Sequence, residues 1–136
     1  MNKKELIERV IKLNLPEGQY VIFGSGPLAV HDIRESKDID LLVTAELYRR
    51  LKEEGWIEKS GASGESHLTK EVFEAASTWN YGTYNPRAQD IIARAEIVQG
   101  VPFAPLEEVR KWKKAFGREK DLKDLQLVDR YLQERT

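Results

Sequence analysis

Cysteine is absent from the 136-residue chain, which excludes disulfides, thiolate zinc sites and a cysteine nucleophile and fits a reducing compartment. Histidine is scarce: His31 and His67 are the two present, too few for a multi-histidine metal site. Long apolar runs are missing, and the stretch from Met1 to Arg9 mixes charges within every turn. Neither a signal peptide nor a membrane span is expected, and a cytoplasmic location is. No charge of one sign prevails either, since 22 basic and 23 acidic residues leave a net charge of −1; contact with nucleic acid would have to be local. No internal repeat, long linker or low-complexity tract interrupts the chain. What is there, 40% hydrophobic and 33% charged residues, is the composition of an ordinary globular protein. A chain of this length buries roughly two thirds of its unfolded surface and folds without staples, so residues 1–136 are read as a single domain.

Leu6, Ile7, Val10 and Ile11 recur at helical spacing over residues 5–13, and Pro16-Glu17-Gly18 breaks that pattern. Residues 20–23 form a short apolar run suited to a buried strand, which feeds directly into Gly24-Ser25-Gly26-Pro27. A second strand is predicted over 38–43, then a helix capped by Thr44 that carries Leu47, Tyr48 and Leu51 inward and stops at Gly55. Further strands are expected at 56–59 and 72–76, flanking a Gly/Ser-rich loop at 60–66. Ala88, Ile91, Ile92 and Ala95 mark another helix, followed by a short strand at 96–98 and a turn at Gly100-Val101-Pro102. Two helices then close the chain. One runs over 105–116 with Leu106, Val109, Trp112 and Phe116 on its stripe; the other starts at Glu119 with Leu122, Leu125, Val128 and Leu132, and Gly117 separates them. The expected fold class is α+β: a short mixed β-sheet backed by helices, with a helical C-terminal part at 105–136.

Residues 20–44 concentrate the chemistry. A glycine-serine turn after a strand lets backbone N–H groups approach an anion closely, and the helix start behind it adds a positive dipole end, although Pro27 removes one donor. Asp38 and Asp40, two apart on a strand, are expected on one face. Like charges about 4 Å apart repel by roughly 4 kcal/mol at an effective dielectric near 20, so this pairing makes sense mainly around a cation, and oxygen-only ligands suit magnesium, with manganese as its substitute. Glu74, an acid among apolar residues of a predicted strand, is the third candidate carboxylate; Glu71 is the alternative three residues away. An anion-gripping turn and three carboxylates are what metal-assisted phosphoryl transfer requires.

Gly24-Ser25, a spacer and then Asp38-x-Asp40 resemble the signature of the DNA polymerase β-like nucleotidyltransferase superfamily. The segment Trp112-Lys113, then Gly117-Arg118-x-Lys120-Asp121-x-x-Asp124, is similar to one recurring in small bacterial and archaeal members, including those related to abortive-infection toxins of the AbiEii type. The resemblance implies a nucleotidyltransferase fold and transfer of a nucleoside monophosphate from a nucleoside triphosphate such as ATP to an acceptor hydroxyl. By it, Gly24, Ser25, Lys113 and Arg118 would hold the nucleotide, Asp38 and Asp40 would bind metal, and Glu74 would complete the metal site and act on the acceptor. It also implies an RNA or protein acceptor ahead of a small molecule, while the short chain leaves room for a homodimer or a partner protein to complete the site. One alternative is a catalytically inactive nucleotide-binding module or a component of a toxin–antitoxin pair; another is a structural α+β protein in which Asp38 and Asp40 only cap the sheet and bind no metal.

Plainer readings stand beside these. Arg34, Ser36 and Lys37 either contact a phosphate or form a solvated loop. Residues 110–124 carry seven basic residues against three acids, which grip a polyphosphate or form a solvated helix face with pairs such as Lys120 with Asp124. His31 and His67 read as structural or exposed, and Trp79, Tyr84 and Trp112 as core or rim aromatics.

Overall fold

The structure, a computed structural model, describes residues 1–61 and 64–135. The element order is α1 (Lys3–Leu13), β1 (Tyr20–Phe23), α2 (Gly26–Val30), β2 (Ile39–Val43), α3 (Ala45–Glu53), β3 (Ile57–Ser60), β4 (Ser66–Lys70), β5 (Phe73–Ala76), α4 (Ala88–Ala93), β6 (Glu96–Val98), β7 (Val101–Phe103), α5 (Leu106–Phe116) and α6 (Glu119–Glu134). The strands form one mixed seven-stranded sheet in the order β3-β4-β5-β2-β1-β7-β6. β2 runs antiparallel to β1 and parallel to β5, and β1 runs parallel to β7. The fold is α+β, with helices backing the sheet and a helical C-terminal part. None of the helices among the described residues is long and apolar enough to cross a membrane.

Period two in the central strands divides the core between the two faces. Tyr20 and Ile22 of β1 and Ile39, Leu41 and Val43 of β2 pack with α1 and α3 through Leu6, Ile7, Val10, Leu47 and Leu51. Val21, Phe23 and Leu42 face the other way, against Trp79, Ile91 and Trp112. Phe23 is the hub of that second layer, 5.2 Å from Trp79 and 5.8 Å from Trp112 between ring centroids. α6 is held on α2 and α5 by Leu28, Leu106, Val109 and Val128. Both predicted caps form: Thr44 Oγ1 accepts from the Leu47 amide at 3.2 Å, and Gly117, at φ 68°, ends α5 in the left-handed conformation.

Four expectations are corrected. Ile11 belongs to the predicted α1 stripe but is 56% exposed, because three buried residues per three turns already fill that contact. Residues 66–70 are a strand rather than the end of a loop and the approach to the next strand; positions 62 and 63 of that predicted loop lie outside the described residues. β4 is paired on both sides, yet Leu68 is its sole buried side chain, so it carries no apolar run to announce it. The turn expected at Gly100-Val101-Pro102 is placed one residue early: Gln99 (φ 51°) and Gly100 (φ 83°) make the reversal, and Val101–Phe103 is a buried strand. Positive φ at both central residues matches the right-handed twist of a two-residue hairpin. The inward stripe of α6 is Asp121, Asp124 and Val128, whereas Leu122 is 51% exposed; the buried side of this helix is charged because it faces the site.

Candidate functional site

β1 delivers the glycine-serine turn across the end of β2, since Phe23 is the register partner of Asp40. Gly24 has φ +63°, and a Cβ there would lie 2.1 Å from Asp40 Oδ2. The turn backbone is thus pressed onto the carboxylate, a closeness open only to glycine. Gly26 serves packing, because its Cβ would meet Ile22 Cγ2 at 2.3 Å. The hydroxyl of Ser25 accepts from Arg34 Nη2 at 2.7 Å. The helix start expected to add a dipole is α2, five residues long with Pro27 in its first turn, so that contribution is confined to one turn.

Asp38 precedes β2 instead of lying in it; the strand begins at Ile39, whose N–H donates to Val72 O at 2.9 Å. Ser36, a residue read as phosphate contact or loop, is buried and fixes this entry by donating from Oγ to Asp38 O at 2.5 Å. Asp40 shares the sheet face of Leu42 and sits directly opposite Glu74 on β5. Next across the sheet is β4, from which His67 Nε2 reaches Glu74 Oε1 at 3.3 Å. Asp40, Glu74 and His67 therefore form a titratable row across three adjacent strands, which gives His67 a place in the site that its isolated position in sequence does not reveal. Glu71 occupies the turn before β5, with φ 55°, and lies by Phe73 and Glu5 on the α1 side. Of the two candidates for third carboxylate, Glu74 meets Asp40 and Glu71 does not.

Burial raises the Asp40 pKa to about 7, with the charge and hydrogen bond of Glu74 and the charge of Asp38 adding to the rise and Lys113 opposing it. Among the described residues the His, Asp and Glu side chains form no group of three already placed around a metal. The donor set nonetheless suits a hard divalent ion: oxygen ligands only, and at Asp40 a negative charge that its neighbours destabilise.

Beside Asp38 and Asp40, lining the same cleft, lies an ionic network whose anions and Lys113 are buried. Arg34 grips Asp124 with two bonds, Nε to Oδ1 at 2.7 Å and Nη2 to Oδ2 at 2.8 Å, so the alternative of a solvated loop does not apply to it. Lys113, whose side chain is 3% exposed, places Nζ 2.8 Å from Asp124 and 3.5 Å from Asp121. Arg118 Nε donates to Asp121 at 2.7 Å while its guanidinium lies 3.7 Å from the Phe116 centroid. Burial alone would raise the pKa values of Asp121 and Asp124, but these cationic partners outweigh it and hold both carboxyls below their usual range. Asp124 is thus tied to Arg34 and Lys113, in place of the surface pair with Lys120. Sequence reading missed Asp121 and Asp124 as buried anions; the available signal was their i, i+3 spacing in phase with Val128.

Two clefts flank the row. One, about 390 Å³, is lined by Ser25, Asp38 and Asp40 and by the cations Arg34, Lys37, Lys113, Arg118, Lys120 and Lys123. Arg34, Lys113 and Arg118 are committed to Asp121 and Asp124, whereas Lys37, Lys120 and Lys123 are exposed and have no ion-pair partner among the described residues. The other, about 290 Å³, opens on the Glu74 side against Trp79, Tyr81 and Phe116. Gly24 lies against Asp40 between turn and sheet, and Lys113 and Arg118 enter the first cleft as wall cations held by aspartates. Comparison of the chain with protein-family models, with curated proteins and with solved structures finds no match.

Proposed function

We propose that this protein is a metal-dependent nucleotidyltransferase of the DNA polymerase β-like fold, which moves a nucleoside monophosphate from a nucleoside triphosphate to an acceptor hydroxyl. The observation that carries the reading is the facing pair Asp40 and Glu74 on parallel strands, with Asp38 at the strand entry and a cationic cleft on the Asp40 side. Asp38, Asp40 and Glu74 would hold magnesium, which supplies neutralisation of the triphosphate and activation of the attacking hydroxyl. Lys37, Lys120 and Lys123 attract the polyphosphate, while Arg34, Lys113 and Arg118, held by aspartates, set the potential of the cleft wall. Gly24 keeps the turn backbone on Asp40, and Ser25 is fixed by Arg34. In the transfer, the acceptor oxygen bonds to the α-phosphorus, the bond from that phosphorus to the pyrophosphate oxygen breaks, and pyrophosphate leaves with the electron pair. The hydroxyl proton passes to Glu74 Oε, which His67 orients.

Calorimetric titration with ATP, GTP, CTP and UTP in magnesium, beside an Asp38→Ala, Asp40→Ala double variant, tests this reading. Binding that needs magnesium and is lost in the variant is expected, with pyrophosphate released once an acceptor is supplied. Nucleotide binding without pyrophosphate release across acceptors would favour the inactive binding module; no binding of any nucleotide would sink both.

A further inference from the structure

The two clefts have opposite electrostatic character, and that contrast bears on the acceptor. The cleft on the Asp40 side carries the cations. Among the described residues that line the Glu74-side cleft there is no lysine or arginine; its charged groups are Glu65 and Glu74, with His67 beside them. Arg118 stacks on Phe116 but belongs to the first cleft, where Asp121 holds it. The remaining wall is aromatic: Trp79 is buried, and Tyr81 stacks on Phe116 at 4.3 Å between centroids with 23° between planes.

We propose that the Glu74-side cleft is the acceptor subsite and that it takes a small hydroxyl compound with a planar or apolar body and a cationic amine, in preference to an RNA end. The inference rests on the transferase reading and deepens it. A nucleic acid brought here would set phosphodiesters against Glu65 and Glu74 with no lining cation to compensate, the reverse of what nucleic-acid sites supply. An ammonium group gains from the same two carboxylates, and a ring gains from the aromatic wall. The volume, about 290 Å³, is at the lower end of small-molecule pockets, which limits the occupant to a compound of one or two rings. A hydroxyl seated there has Glu74 as its proton acceptor and faces the Asp40 side of the wall, where the α-phosphate would lie.

The test is calorimetry on the full chain with three probes: tyramine, its near-isosteric anion 4-hydroxyphenylacetate, and a 3′-hydroxyl hexa-adenylate RNA. Tyramine is expected to bind saturably and the other two not to. Glu65→Lys, an exposed position, is expected to weaken tyramine by about tenfold and to leave ATP affinity within about twofold. Absence of tyramine binding, equal or tighter binding of the carboxylate, or RNA binding that Glu65→Lys strengthens would each overturn the assignment. A separate ATP titration of the same samples keeps the two readings apart. Amine binding without nucleotide binding would remove the transferase and leave an amine site, whereas nucleotide binding without amine binding would remove the acceptor assignment alone.

Discussion

Asp40 is the residue on which the site's electrostatics turn. Its carboxyl is neutral in folded and unfolded chains below about pH 4, so it costs nothing there. With the folded pKa raised to about 7 by burial and by Glu74, the folded chain holds a proton between pH 4 and 7 that the unfolded chain has released. Stability therefore falls as pH rises through that window, and the penalty is complete above pH 7. Asp40→Asn is expected to match the natural protein in stability near pH 4 and to exceed it by a few kcal/mol at pH 8 in metal-free buffer, as read by urea denaturation. An unchanged difference at the two pH values would show that the Asp40 pKa is the same in the folded and unfolded chains. Gly24 makes the complementary case. Alanine there combines a strained φ of +63° with a Cβ 2.1 Å from Asp40 Oδ2, so Gly24→Ala is expected to lose about 2 kcal/mol. Only the part of that loss due to the carboxylate should vanish when Asp40 is also shortened to alanine, because the φ strain and the 3.1 Å approach to the residue 40 Cβ remain. A loss that stays the same in the double variant would mean that the carboxylate has no part in it.

At the scale of elements, α6 is attached to the domain by charge as much as by apolar contact. Its buried side offers Asp121 and Asp124 to Arg34, Lys113 and Arg118. Lys113→Met would leave a buried anion short of a partner, and breaking such a pair costs about 3 kcal/mol; thermal denaturation at pH 7 checks this. Both carboxyls are held below their usual range, so their contribution is present above the unfolded pKa of about 4 and is lost as pH falls through the lower folded values. Glu108 follows the same sign, because its bonds from Tyr84 and Arg94 outweigh its burial. Amide exchange in α6 is expected to accelerate below about pH 4 relative to α1 and α3, after correction for intrinsic exchange. This element also shows where sequence reading stops. α1, α3 and α5 were legible because apolar residues mark their buried sides at period 3.6, and β1 because it is a continuous apolar run buried on both faces. α6 was legible as a helix and inward at Val128 and Leu132, but not along its first turns, where Asp124 is held by Arg34, ninety positions away, and Asp121 by Lys113 and Arg118. β4 was invisible for a related reason: pairing on both sides builds it, while Leu68 alone is buried.

For the whole molecule, the candidate site lies where the sheet, the α5–α6 pair and the glycine-serine turn meet, and its groups come from every part of the chain. The turn and the Asp-x-Asp pair were readable because they are local in sequence. The facing of Asp40 by Glu74, the place of His67 and the two-cleft division arise from strand order, which no local pattern carries. A site of this kind concentrates like charge, and the folded protein bears that as lost stability until a ligand relieves it. Magnesium with ATP at about a hundred times its Kd would stabilise by about 2.7 kcal/mol, or about 8 °C in Tm for a domain of this size. The Asp38→Asn, Asp40→Asn variant is expected to start from a higher Tm at pH 8 and to show no such rise. That combination, a gain in bare stability together with loss of the ligand response, would be the mark of carboxylates kept for chemistry. A variant with a lower starting Tm would instead show that the two aspartates hold the sheet entry together, and the transferase reading would lose its main support.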